Sequence, residues 1–189
     1  MPIRALVEQT WVPGAIAAAV GVVVGVWSLA TGSDVPLLVF ADLGFHELGH
    51  LIGYITRPPE WIIAIAGTGL QIAVPLGAAA VLFWWRRDPF GGSICLAWAA
   101  TSMRNSSVYI ADAPYERLTL IGGEHDWAYL LGEHWQALDR ADDIARGLVR
   151  AGWVLLFVAG TITLLAIEHR LPDRRSGRGD ADVDAAGVL

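Results

Sequence analysis

Two histidines and a glutamate lie within five residues of the chain, in the order His46-Glu47-Leu48-Gly49-His50. Residues four apart share one face of a helix, so the imidazoles of His46 and His50 could bind one metal ion. The carboxylate of Glu47 could then accept a proton from a water molecule on that metal. This is the HExxH pattern of zinc hydrolases. It predicts His46 and His50 as zinc ligands and Glu47 as the general base.

The residues around this pattern are apolar enough to lie in a membrane. From 35 to 55, the only charged residues are Glu47 and Asp42. Ionisable groups at such depth are costly, and where they occur they typically mark functional sites. A hydrolytic site there must also admit water, so we expect it to open toward a polar side of the protein.

The whole composition is that of a membrane protein. Hydrophobic residues make up 54% of the 189 residues and charged residues 17%, against roughly 25% charged in soluble domains. We expect an all-α, polytopic integral membrane bundle with about five transmembrane helices, within a range of four to six. The predicted spans are 11–31, 35–55, 61–85, 90–111 and 148–167.

Two segments lie outside these spans. Segment 112–147 is acidic and amphiphilic, and it predicts a helix that lies at the membrane interface or dips partly into it. The residues that suggest this helix are Trp127, Tyr129, Leu130, Leu131 and Trp135. Residues 1–171 are expected to form one transmembrane domain, and 172–189 a disordered tail, because the tail has little to bury.

The directions of the predicted spans indicate which parts of the chain lie on the same side of the membrane. The second and fourth spans run the same way, so their C-terminal ends share one side with segment 112–147. We expect the polar chemistry on that side. The arginines are nearly balanced between the two sides, so the positive-inside rule gives no orientation. The net charge of −6 gives no indication of a nucleic-acid-binding surface. The oligomeric state stays open.

A catalytic zinc usually has three protein ligands, so a third must come from elsewhere in the chain. We rank His125 first, Asp112 second and Asp126 third. Asp112 ends the fourth span, while His125 and Asp126 precede Trp127 in the following segment. His134 lies nine residues after His125, on the opposite side of a continuous helix, so the two are not expected to bind the same metal ion.

Four further polar residues lie within the predicted spans. Asp42 is one turn before His46 and could accept an imidazole N–H or pair with Arg104. Arg104 needs a carboxylate partner if buried, and near the metal it could polarise a substrate carbonyl. Its neighbour Asn105 is also polar. Gln71 could bond an extended substrate backbone or join two helices.

The run Phe45-His46-Glu47-Leu48-Gly49-His50 in a membrane helix resembles the site-2 protease group, the M50 class of intramembrane zinc metalloproteases. Their second motif, Asn-x-x-Pro-x-x-x-x-Asp-Gly, supplies an aspartate as third zinc ligand. Residues 105–112 match it in part. The Asn-to-Asp spacing is one residue short, Val108 replaces the proline and Ala113 the glycine.

The stretch 46–132 also resembles small bacterial membrane proteins grouped with M50 peptidases, in which a His-Asp-Trp element recurs, as at 125–127. The resemblance implies a zinc-dependent protease that cleaves a membrane-embedded protein in the bacterial inner membrane. The alternative is a non-catalytic metal-binding membrane protein derived from a protease scaffold, for which Glu47 would be unnecessary. A di-iron oxygenase would need more than the five histidines present.

Overall fold

The computed structural model describes residues 11–120 and 124–171, and within these ranges the chain is helical and has no strand. The predicted disordered tail, 172–189, lies outside the described residues. The α-helices in chain order are α1 (Val12–Thr31), α2 (Pro36–Thr56), α3 (Glu60–Trp84), α4 (Pro89–Asp112), α5 (Asp126–Ala128) and α6 (Ala141–Glu168). The short α5 continues into a π-helical turn, Tyr129–His134, and a 3₁₀ turn, Leu138–Arg140, leads into α6.

Local sequence explains where the two helices of the site begin and end. Pro36 and Pro89 occupy the first turns of α2 and α4, where a missing N–H costs no helical hydrogen bond. Asp88 caps α4 by accepting hydrogen bonds from the first backbone N–H groups. At the end of α2, Arg57 has a left-handed backbone with φ of 53°, and Pro58 prevents the helix from continuing.

Three segments are long and apolar enough to cross a membrane: Val12–Thr31, Glu60–Trp84 and Leu138–Glu168. The other two long helices, α2 with 21 residues and α4 with 24 residues, have sufficient length at about 1.5 Å per residue. They are less apolar because they carry the polar residues of the site. The all-helical architecture is therefore confirmed for the described residues, the three apolar segments are consistent with membrane integration, and the arrangement of about five spans stays a prediction.

The segment between α4 and α6 forms short helical turns in its described part, and its position at a membrane interface stays a prediction. In its described part, Trp127, Leu130 and Leu131 are buried against α3 and α4, where they contact Ala64 and Ile110. The last helix also begins at Ala141 rather than near 148. An amphiphilic sequence only requires that its apolar face be covered, and here the bundle covers it.

α4 is the central helix, packed against α1, α3 and α6, whereas α2 packs mainly on α3 and only slightly on α4. Glycine allows the close approach of α2 to α3. A methyl group at Gly49 would overlap the backbone carbonyl of Ala66, and one at Gly53 would lie 3.1 Å from the Ile63 side chain. Small residues are typical of such close contacts between membrane helices. This packing places one face of α2 against α3 and leaves its other side toward α4 open.

Candidate metal centre

His46 and His50 project from the same face of α2, as their spacing predicts. Their ring centroids are 4.8 Å apart. Oδ2 of Asp126 lies 3.2 Å from Nε2 of His46 and 3.2 Å from Nε2 of His50. One donor atom from each of the three side chains lies within 4.8 Å of the other two, which makes this group a possible metal site.

The structure changes the expected order of the third ligands. Asp126, ranked last, lies against the histidine pair, while His125 and Asp112 lie outside the possible metal group found among the described residues. His125 precedes α5, and its Nδ1 accepts a hydrogen bond from the backbone N–H of Ala128. Because the side chain of His125 folds over its own helical turn, the next residue is the one directed at α2.

Asp112 also has a local role. Its carboxylate accepts hydrogen bonds from the backbone N–H groups of Arg117 and Leu118 and so holds the chain where it leaves α4. The remaining oxygen-to-nitrogen approach, from Asp112 Oδ2 to His125 Nε2, is 3.6 Å. His134 lies elsewhere, with its ring stacked on Trp61 at 5.8 Å.

Each histidine of the pair is oriented through its other ring nitrogen. Nδ1 of His46 lies 3.3 Å from Oε1 of Gln71, and Nδ1 of His50 lies 3.0 Å from the carbonyl oxygen of Ile63. Both partners accept hydrogen bonds, so with a metal ion bound each Nδ1 would carry the proton and each Nε2 could present its lone pair. Such partners fix the tautomer and orientation of a metal-binding histidine.

Gln71 also donates to Oδ1 of Asn105 at 3.0 Å. It therefore joins α2, α3 and α4, which agrees with the predicted role of joining helices.

The two predicted roles of Asp42 are both wrong. Asp42 is only 1% exposed, and it accepts hydrogen bonds from Nε1 of Trp98 at 2.9 Å and Oγ of Ser102 at 2.7 Å. It therefore joins α2 to α4 instead of orienting a histidine. Arg104 pairs with Asp34, in the turn between α1 and α2. Oδ1 of Asp42 already accepts from Trp98 and Ser102, whereas the carboxylate of Asp34 lies beside the guanidinium.

Asp126 is held by two interactions with one tyrosine. The hydroxyl of Tyr109 donates to Oδ2 of Asp126 and accepts from its backbone N–H, both at 3.0 Å. Burial alone would raise the pKa of the Asp126 carboxyl, but hydrogen bonds with His46, His50 and Tyr109 outweigh it and hold that pKa well below its usual range. The carboxylate is therefore ionised and suited to bind a cation.

The donor group lies on a cavity of about 510 Å³. Glu47 lines this cavity beside the histidines and is exposed. Asn105 and Tyr109 of α4 lie across from α2, and Val39 and Leu43 of α2 give an apolar part of the wall. The cavity thus has polar groups, a carboxylate near the metal-binding atoms and room for a ligand larger than water.

Two of the three separations between the donors match those of a tetrahedral metal centre, and the third, between the two histidine donor atoms, is within 4.8 Å. Two ligands at about 2.0–2.1 Å from a tetrahedral zinc are about 3.3 Å apart, and Asp126 Oδ2 lies 3.2 Å from each imidazole nitrogen. Two histidines and a carboxylate are a donor set of catalytic zinc sites. They also form the donor set of mononuclear iron oxygenases, so this set alone does not identify the metal.

Two contributors to the site were not predicted from the sequence. One is Tyr109, which shares a face of α4 with Asn105, one turn earlier, so the spacing could have indicated it. The other is Gly67, at which a methyl group would lie 2.5 Å from Nε2 of His50 and 2.7 Å from Nε2 of His46. Gly67 therefore leaves space for the metal-binding atoms, a role that no sequence pattern signals.

No protein-family model, curated protein or solved structure matches this chain. The resemblance to the site-2 protease group thus stays a prediction that depends on residues 45–50. Any function must be inferred from the arrangement of His46, Glu47, His50 and Asp126.

Proposed function

We propose that the chain is a zinc-dependent intramembrane metalloprotease that hydrolyses a peptide bond of a membrane-embedded protein, in the bacterial inner membrane. One observation carries the proposal: Glu47 of HExxH lines the same cavity as two imidazole nitrogens that each lie 3.2 Å from Asp126 Oδ2. Metal binding alone needs the three donors, whereas hydrolysis also needs a carboxylate beside them.

Each residue of the site has a separate role in the proposed reaction. His46, His50 and Asp126 would hold the ion, which when bound lowers the pKa of its water to around 7 and polarises a carbonyl group. The carboxylate of Glu47 takes a proton from the attacking water and then delivers it to the departing amine. The chain's own side chains thus supply both the acceptor and the later donor of that proton.

The surroundings favour a substrate within the membrane. The helix that carries the histidines has large exposed apolar residues on its outer side, such as Leu37, Phe40 and Ile55. α2 touches α4 only slightly, and the cavity lies between them. An extended segment of a membrane protein could therefore reach Glu47 from the side of the bundle, where the polar wall of Asn105 could bond its backbone.

The alternative is a metal-binding membrane protein without hydrolysis. It accounts for the donors and for the partners of their Nδ1 atoms. It gives no reason for a carboxylate at Glu47 that faces a cavity of about 510 Å³. This difference makes Glu47 the residue on which the two functions can be separated.

A comparison of membrane proteomes tests the proposal. Cells that express the wild-type chain, Glu47→Gln or Glu168→Gln are compared for new protein termini within membrane proteins. Glu168, exposed at the end of α6, is the matched control for loss of one carboxylate. We expect shared cleavage products in wild type and Glu168→Gln and none in Glu47→Gln. Identical termini in all three would support the non-catalytic alternative.

Metal analysis of the purified proteins accompanies this comparison. We expect about one zinc per chain in wild type and in Glu47→Gln, and little in Asp126→Ala. Iron in place of zinc would refute the zinc assignment and favour an oxygenase. Full zinc content in Asp126→Ala would remove Asp126 from the ligand set.

A further inference from the structure

Asp126 reaches the histidine pair from a segment outside the long helices, so something must fix its carboxylate there. The segment preceding it leaves α4 at Asp112, and α5 itself has only three residues, Asp126–Ala128. A helix of this length is not stable by itself. The position of the carboxylate must therefore depend on contacts with the bundle.

Trp127 ties α5 to α3 through its hydrogen bond to Thr68, and Tyr109 contacts Asp126 itself at both its side chain and its backbone. Its hydroxyl donates to Oδ2 of Asp126 and accepts from the backbone N–H of the same residue, both at 3.0 Å. Tyr109 lies in the last turn of α4, a helix packed on three others. It therefore connects the carboxylate at the start of the short α5 to the well-packed α4.

The ring of Tyr109 is itself fixed on two sides. The His125 ring is stacked on it at 4.3 Å with an angle of 16°, and the His46 ring meets it edge-on at 5.6 Å. His125 is 4% exposed, and its Nδ1 bonds the backbone N–H of Ala128. Its Nε2 is buried, lies 3.6 Å from Oδ2 of Asp112 and makes no hydrogen bond within the described chain, so the contacts in which the ring takes part are the stacking on Tyr109, the cap of α5 and this approach to Asp112.

We propose that Tyr109, packed against His125, is the positioning residue that places the Asp126 carboxylate against the imidazoles of His46 and His50. The inference rests on the proposed metal centre and deepens it. It also explains why His125 and Asp126 stand next to each other: the first packs on the tyrosine ring and the second bonds its hydroxyl.

Metal affinity provides the test. Purified wild-type protein, Tyr109→Phe and Tyr115→Phe are titrated with Zn²⁺ against a chelator, and their Co²⁺ absorption spectra are recorded. Tyr109→Phe keeps the ring and removes only the hydroxyl. Tyr115, exposed and packed against the Arg117 guanidinium, is the matched control. We expect Tyr109→Phe to weaken zinc affinity about 10–100-fold, the range for loss of a group that orients a ligand, and to change the Co²⁺ spectrum.

A second variant separates positioning from folding. His125→Asn retains an acceptor that can cap α5 but loses the ring that packs on Tyr109, so we expect weaker zinc binding with helix content unchanged. If Tyr109→Phe binds Zn²⁺ as tightly as wild type and gives the same Co²⁺ spectrum, the inference is refuted. Because these readouts do not require turnover, a failure of the protease assay would leave the inference intact.

Discussion

Adding one methyl group at Gly67 is the sharpest perturbation of the site that the structure offers. In Gly67→Ala, the new Cβ would lie 2.5 Å from Nε2 of His50, 2.7 Å from Nε2 of His46 and 2.8 Å from Cδ2 of His46. Nothing within 4 Å would meet the same methyl group at Gly69, two residues later on α3. The two substitutions therefore differ only in what the methyl group touches.

The size of the effect follows from these distances. The His50 ring would have to move about 0.9 Å, from 2.5 Å to the 3.4 Å at which ordinary contact begins, whereas metal–ligand distances tolerate about 0.2 Å. We therefore expect zinc affinity to fall by more than about 100-fold, above the range for loss of an orienting group. Alanine should stabilise the helix itself by about 0.8–1 kcal/mol in both variants.

The assay is competitive Zn²⁺ titration of the purified proteins, with helix content measured by circular dichroism. Gly69→Ala should bind Zn²⁺ like the wild type, and Gly67→Ala should be helical but bind it poorly. Equal zinc affinity in both variants would mean that the imidazoles do not point at α3 as described, and the geometry of the whole centre would have to be abandoned.

Two further substitutions probe the groups that orient the site. Gln71→Leu should weaken zinc binding about 10–100-fold, because it removes the hydrogen-bond acceptor of one imidazole; unchanged affinity in the same titration would show that this contact is dispensable. Asp42→Ala should instead lower the free energy of unfolding, because it deprives Trp98 and Ser102 of their acceptor. The expected loss is about 1–3 kcal/mol for each donor left unpaired. Zinc affinity of the protein that remains folded should be unchanged, and a selective loss of zinc would assign Asp42 to the metal centre after all.

The histidine pair on α2 was predictable because it depends only on the local spacing of two residues. The spacing of His46 and His50 places both rings on one face of any helix, and a long apolar run predicts a helix whatever packs against it. The boundaries of α2 and α4 follow for the same reason, since Pro36 and Pro89 determine their first turns.

The third donor was not predictable in the same way. His125, Asp126 and Asp112 are equally suitable by residue type, and the choice among them depends on which side chain is directed toward α2 at the start of α5. That direction is decided by contacts between distant residues, Tyr109 with Asp126 and Trp127 with Thr68. Similarly, the choice of Asp34 over Asp42 by Arg104 depends on the turn between α1 and α2.

The donors of the centre come from two parts of the bundle, which hydrogen bonds of Asp42 and Gln71 connect but which pack only slightly on each other. The imidazoles belong to α2, which is joined to α3 along the Gly49 contact, and the carboxylate is tied through Tyr109 to α4. A guest helix wedged between α2 and α4 would therefore pull the carboxylate away from the imidazoles. Widening that cleft and retaining an ion would oppose each other, so under the proposed function an extended substrate strand would disturb the coordination less than a helix.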